Sequence, residues 1–267
     1  MTRYDAMFAR THGAFVPFLM LGDPDPATSV DLVRALVRGG ADALELGIPF
    51  SDPVADGPVI QAAATRALAR GARVRDAWEI LATVRAECPE IPIGLLVYAN
   101  LVLHRSAEIF YRDAAGAGVD SVLIADLPLR EAGPVDVIAE SHGIAPVHIA
   151  PPNADVDRLA AIGRASKGYV YVTSRPGVTG ADDRLDEGSA RIIAELGKAG
   201  APPALLGFGI SRPSHVRQAL DLGAAGAISG SAVVRKVEAN LNDREEMIRA
   251  LELFVREMKA ATGTRVA

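Results

Sequence analysis

The stretch Leu44-Glu45-Leu46-Gly47-Ile48-Pro49-Phe50 sets one carboxyl group inside an otherwise apolar run. With the two-residue period of a strand, Leu44, Leu46 and Ile48 share one face, and Ala43, Glu45 and Gly47 share the other. The bulky face suits packing against helices, which turns Glu45 toward an interior between two small residues. A carboxylate there is either paired with a cation or held partly desolvated with a raised pKa, and desolvated carboxylates concentrate at active sites. Eleven residues on, Asp56 follows Ser51-Asp52-Pro53-Val54-Ala55, in a loop shaped by prolines and closed by Gly57-Pro58. Two carboxyl groups on one cavity allow acid and base roles to be divided. Beside proline and glycine, Asp52 and Asp56 are equally suited to closing turns.

A second constellation lies late in the chain. Gly207-Phe208-Gly209-Ile210-Ser211 and Ser229-Gly230-Ser231-Ala232 are two glycine-bearing loops, and the second opens a short helical stretch. Glycines admit backbone N–H groups close to an anion, the helix end adds positive potential, and the Ser231 hydroxyl adds a donor. Tight turns alone would also account for these glycines. Between the constellations, residues 173–184 form a polar loop with Gly177 and Gly180, suited to closing over a substrate. The five histidines show no metal-ligand spacing, and Cys88 is the one cysteine.

The elements that must position these groups alternate along the chain. Apolar runs at Phe15–Leu21, Ala43–Ile48, Ile93–Val97, Ser121–Ala125, Ala145–Ile149, Tyr169–Val172, Ala204–Gly207 and Ala227–Ser229 read as eight strands. Amphipathic stretches such as Ser29–Arg38, Val74–Glu87, Ala107–Ala115 and Ser189–Ala199 separate them. Gly40, Gly118 and Gly223 recur where a helix hands over to a strand, each suited to the left-handed helix-ending conformation. Strand and helix alternating eight times in 267 residues, with no linker, predicts a single α/β domain over residues 1–267, a (β/α)8 TIM barrel. An extra N-terminal helix, Thr2–Phe8 capped by Thr2, and a short helix, Ser231–Ala239, before the last one, Asp243–Ala261, complete the expectation. In such a barrel, functional residues gather at the carboxyl ends of the strands, with phosphate at the seventh and eighth.

Composition narrows the function. The chain is 49% apolar and 23% charged with a net charge of −5, which excludes disorder and offers no basic face for nucleic acid or an anionic membrane. No apolar run is long enough to span a bilayer, and a single cysteine suits a reducing, cytoplasmic setting.

Several phrases together resemble the tryptophan synthase α-subunit family: Phe15-Val16-Pro17-Phe18, Leu44 to Pro53, Ala55-Asp56-Gly57-Pro58, Tyr98-Ala99-Asn100, Pro151-Pro152-Asn153, Ser174-Arg175 with Gly177-Val178-Thr179-Gly180, and Gly207-Phe208-Gly209-Ile210. The likeness runs from about Tyr4 to Ala260. It implies a carbon–carbon lyase that cleaves indole-3-glycerol phosphate to indole and glyceraldehyde 3-phosphate. Glu45 matches the family's general acid/base and Asp56 the carboxylate that holds the indole N–H. Gly180, Gly209, Gly230 and Ser231 match the phosphate site, with Thr179 in the lid beside them. Tyr171 matches a tyrosine beside the catalytic glutamate, and Phe18, Leu96 and Phe208 match residues around the indole ring. Asp52, Pro53 and Asn100 match the interface with a β subunit in an α2β2 complex. Pyridoxal phosphate belongs to that partner, and the resemblance implies no cofactor or metal in this chain. A stand-alone indole-releasing lyase, or another phosphate-binding barrel enzyme, is the alternative. Pro176 departs from the family's usual lid sequence, and Ala9–Gly13 is shorter than in several relatives.

Overall fold

A computed structural model describes residues 1–173, 187–207 and 209–263. The chain begins with α1 (Arg3–Arg10), β1 (Ala14–Met20), α2 (Pro26–Arg38), β2 (Leu44–Gly47), α3 (Pro58–Ala69), α4 (Val74–Glu87) and β3 (Ile93–Val97). It continues through α5 (Ala99–Leu103), α6 (Ala107–Gly116), β4 (Ser121–Ile124), α7 (Leu129–Ser141), β5 (Ala145–Val147), β6 (Ile149–Ala150) and α8 (Val156–Ala165). Then come β7 (Val170–Thr173), α9 (Glu187–Lys198), β8 (Ala204–Gly207), α10 (Pro213–Asp221), β9 (Gly226–Ser229), α11 (Ser231–Glu238) and α12 (Arg244–Ala260).

Among the described residues every strand pairing is parallel, in the order β5-β4-β3-β2-β1-β9-β8-β7-β6. The two ends of that order are consecutive in the chain and are separated only by His148, so the sheet closes on itself as an α/β barrel of eight staves. The expected fifth strand, Ala145–Ile149, is split. Its first half pairs with β4 and its second with β7. Pro146 has no N–H to give a second ladder, and only its carbonyl reaches across, accepting from the Lys167 N–H at 2.8 Å. The His148 carbonyl accepts from the Tyr171 N–H at 3.1 Å and completes the closure.

Local chemistry sets the helix ends. Thr2 caps α1 through a reciprocal box, its hydroxyl accepting from the Asp5 N–H at 3.1 Å while the Asp5 carboxylate accepts from the Thr2 N–H at 2.8 Å. Asp25 caps α2, with Pro26 in the first helical position where no N–H is needed, so this helix starts three residues before the expected Ser29. Gly40, Gly118 and Gly223 adopt φ of 96°, 83° and 93°, as their place between helix and strand predicts. At Gly118 a side chain is excluded twice over, because a Cβ would lie 2.5 Å from Arg85 Cγ.

Three apolar clusters result, the smallest around Phe18, Met20 and Ile60. Leu44, Leu46 and Ile48 join the largest, between strands and helices, and Ala43 joins the one inside the barrel. That inner core holds Val16, Leu123, Val147, Tyr169, Tyr171, Leu205 and Ile228, with Tyr4 and Met7 of α1 closing it from below. The alternation read from the sequence therefore holds at β2, and it delivers Glu45 to the inside.

Candidate active site

Glu45 sits on β2 opposite Phe18 of β1 and Gly94 of β3, and it is 2% exposed. Gly94 leaves room beneath it: a Cβ there would come 2.8 Å from Ser121 Oγ and 3.0 Å from the Tyr4 hydroxyl, which hydrogen-bond each other at 2.8 Å. The Tyr169 hydroxyl donates to Glu45 Oε1 at 3.1 Å. Burial pushes the Glu45 carboxyl up to about 8, against the Tyr169 hydrogen bond and with help from the negative charge of Asp56. No cation among the described residues offsets that rise. Of the two environments open to a buried carboxylate, this is the desolvated one.

Asp56 closes the turn in which its N–H donates to the Pro53 carbonyl at 3.0 Å, and its side chain enters the same cavity as Glu45. Burial raises its carboxyl to about 6, and a hydrogen bond donated by the Tyr98 hydroxyl opposes the rise. Near neutral pH the pair therefore divides into a protonated Glu45 and an ionised Asp56. One acid and one anion on one cavity is the arrangement that separates a proton donor from a charge stabiliser. Asp52 behaves differently. It is exposed, accepts from its neighbour Ser51 Oγ at 2.5 Å, and lies outside this cavity.

The cavity encloses about 240 Å³ at the carboxyl ends of the strands. Phe18, Leu96, Ile60, Leu123, Ile149 and Ile228 give it apolar walls, a slot for a flat ring. Tyr171 closes one side and is 6% exposed. Its ring requires Gly207, where a Cβ would fall 2.2 Å from the tyrosine oxygen. The polar end is made by Gly209, Gly230 and Ser231. Gly209 has φ of 77°, which favours glycine. The Gly230 carbonyl accepts from the N–H groups of Val233 and Val234 at 2.9 and 3.1 Å, so α11 starts at Ser231 and its first N–H groups have no acceptor within the helix. Ser229 Oγ donates to the Ile210 carbonyl at 2.6 Å and ties the two glycine loops together.

Most of the expected site residues converge here: Glu45, Asp56, Phe18, Leu96, Tyr171, Gly209, Gly230 and Ser231 share the cavity. Thr179, Gly180 and Phe208 lie outside the described residues, as does most of the expected lid with Pro176. Asp52 and Asn100 line a separate outer groove of about 810 Å³ between the β2–α3 loop and α4 to α6, with Pro53 next in the same loop. Sequence reasoning missed three side chains. Tyr169 immediately precedes β7 and is two residues from Tyr171, so the period that turns one ring inward turns both. Arg235 is four residues after Ser231, hence on the same face of α11, and it lines the cavity mouth. Tyr98 carries no local signal. Among the described residues, no group of three His, Cys, Asp or Glu side chains is placed to hold a metal ion.

The family model described as "Tryptophan synthase alpha chain" matches residues 4–263. The tryptophan synthase alpha chain of Shewanella oneidensis is 54% identical over 265 residues, covering 98% of this chain and 95% of the relative. That of Cronobacter sakazakii is 53% identical over 266 residues, covering 98% and 99%. A chain in the solved tryptophan synthase α2β2 complex of Pyrococcus furiosus, described as a basis of mutual activation, superposes with a TM-score of 0.86 at 34% identity, covering 94% of this chain and 99% of that one.

Proposed function

Because the chain belongs to the tryptophan synthase alpha-chain family, whose lyase cleaves indole-3-glycerol phosphate to indole and glyceraldehyde 3-phosphate, we propose that Glu45 and Asp56 divide that reaction between them. The observation that carries this reading is the divergence of the two carboxyl groups on one cavity, Glu45 pushed up to about 8 and Asp56 to about 6.

The retro-aldol step needs a proton on indole C3 and removal of a proton from the hydroxyl of the adjoining side-chain carbon. Protonated Glu45 donates to C3, and the charge that develops on the ring nitrogen is met by ionised Asp56. The Glu45 carboxylate then takes the hydroxyl proton. The O–H electrons form the aldehyde carbonyl, the C–C bond breaks, and its electrons return to the ring to release neutral indole. Glu45 ends protonated, ready for the next turnover. Apolar walls suit the ring, and exclusion of water strengthens the contact between Asp56 and the ring N–H. At the other end, N–H groups around Gly209, Gly230 and Ser231, the Ser231 hydroxyl and the N-terminus of α11 suit the phosphate, with Gly180 and Thr179 closing over it and Phe208 on the ring. Tyr171 flanks the glutamate.

The same proposal takes the whole barrel, residues 1–267, as one working unit. It sets Asp52, Pro53 and Asn100 against a tryptophan synthase β subunit in an α2β2 complex, which brings the pyridoxal phosphate. This chain's own chemistry calls for no cofactor. No described helix is long and apolar enough to cross a membrane, and the single cysteine supports a cytoplasmic location.

The test is indole release from indole-3-glycerol phosphate, with and without β subunit, for native chain, Glu45→Gln and Asp56→Asn. Native release that accelerates with the partner, abolished by Glu45→Gln while glycerol phosphate still binds, is the expected result. Substantial turnover by Glu45→Gln would remove Glu45 from its role, and fast release that ignores the partner would favour a stand-alone lyase.

A further inference from the structure

Tyr98 follows β3, caps the N-terminus of α5 and is 2% exposed, yet it does not line the cavity. Its contacts run to a different segment, the loop that carries Asp56. The hydroxyl donates to the Asp56 carboxylate, and the same oxygen accepts the Ala55 N–H at 3.1 Å. The phenol ring stacks on Phe50 at the start of that loop, with centroids 5.2 Å apart and planes at 24°. One side chain thus grips the β2–α3 loop at Phe50, its third residue, and at two consecutive residues near its end. The grip is itself anchored, because the Ala99 N–H donates to Asp126 Oδ1 at 2.7 Å and fixes the start of α5.

A loop built on Ser51-Asp52-Pro53-Val54-Ala55 has mostly exposed side chains and little packing of its own. Without an outside anchor, its carboxylate would sample many orientations, and a charge that stabilises a developing cation must be fixed before the charge develops. We propose that Tyr98 is a positioning residue for the lyase reaction, holding the Asp56 carboxylate ionised and aimed at the ring nitrogen. This rests on the role proposed above for Asp56. The hydrogen bond favours the charged form of Asp56 against the burial that disfavours it. The titratable groups facing Asp56 are Glu45 of β2, Tyr98 and Tyr171 of β7. Tyr98 is the one whose hydroxyl donates to it among the described residues.

The experiment measures kcat and KM for indole release across pH in the complex with β subunit. It uses native chain, Tyr98→Phe, Asp56→Asn and the double variant. Tyr98→Phe keeps the ring on Phe50 and removes only the hydroxyl, and binding of glycerol 3-phosphate reports that the barrel is intact. We expect Tyr98→Phe to lower kcat by about 10- to 100-fold, the worth of one hydrogen bond to a charged group, with KM changed by less than about twofold. The acid limb set by Asp56 moves to higher pH, and the double variant is no slower than Asp56→Asn alone. Unchanged kcat and acid limb in Tyr98→Phe, beside a slow Asp56→Asn, overturns the positioning role and leaves Asp56 standing. Losses that add in full in the double variant overturn it equally. Normal turnover by Asp56→Asn strikes instead at the role of Asp56 itself.

Discussion

The barrel holds carboxylates wholly or partly buried at both ends, and it treats those of the floor and those of the cavity in opposite ways. At the floor, Asp120 accepts from Arg85 Nη2 at 2.7 Å, from Arg3 Nη1 at 2.8 Å and from the Ile93 N–H at 2.8 Å. Arg85 in turn spends its other donors on the carbonyls of Cys88, Pro89, Ile91 and Gly118. Asp42 accepts from Lys259 Nζ and from the Phe15 N–H, both at 2.7 Å. At the mouth, Glu45 and Asp56 receive phenol hydroxyls and no cation among the described residues. A carboxylate paired with a cation has its charge already answered, whereas one that meets only phenols in a cavity stays free to change its proton count. The floor spends its charge on closing the barrel and the cavity keeps its charge for chemistry, while Asp23, buried after β1 at the same end, is paired with Arg66 and lies outside the cavity.

The contrast breaks most visibly at Glu45. Glu45→Gln should lower indole release by at least about 10³-fold, since it removes the only proton carrier in the proposed reaction. The same change should leave the protein harder to melt in alkali. A carboxyl with its folded pKa raised from 4.5 to about 8 contributes fully below the unfolded value, and that contribution is lost as pH rises toward 8. At pH 9 the variant should therefore melt at least about 3 °C above the native chain, while at pH 4 the two should coincide. A variant that melts lower at pH 9 would mean that Glu45 is as structural as Asp120.

Arg85→Ala tests the floor. Leaving Asp120 short of its main partner should cost about 3–5 kcal/mol of stability, read by chemical denaturation, with kcat per folded molecule unchanged below the melting range. A fall in kcat of the folded fraction would show the two ends to be coupled. The pH profile of kcat/KM sharpens the mouth: activity should hold between about 6 and about 8, falling below as Asp56 is protonated and above as Glu45 loses its proton. A profile flat from 5 to 9 would separate both carboxyl groups from the rate. The smallest effect belongs to Lys259→Met, where a partly exposed pair with Asp42 should contribute about 1 kcal/mol or less, measurable as a shift in denaturation midpoint.

How much of this could be read in advance differs by element. The eight staves were visible because parallel strands buried on both faces show as apolar runs, and Glu45 pointed inward because the β2 alternation has one unambiguous bulky side. The break between β5 and β6 was not visible, since hydrophobicity does not register which neighbour a backbone group faces. Asp52 and Asp56 share a loop and a residue type, and only the fold separates the exposed one from the one in the cavity. Ser231 could be placed by its glycine and by the helix it opens. Tyr98 could not, because it stands 42 positions after the carboxylate it holds, and no periodicity spans that gap. Tyr169 was legible in principle through its two-residue spacing from Tyr171, and Arg235 through its four-residue spacing from Ser231.

The split fifth stave gives the barrel a direction of compliance. Staves laddered to both neighbours share any load around the ring, but residues 145–150 hang from β4 first and β7 afterwards. Amide exchange should be fastest along this seam, and Ile149, which forms part of the cavity wall, sits on it. A ring bearing an extra substituent on that side would meet the one wall that yields, whereas the same substituent turned toward Phe18, on a stave held from both sides, would meet a wall that does not.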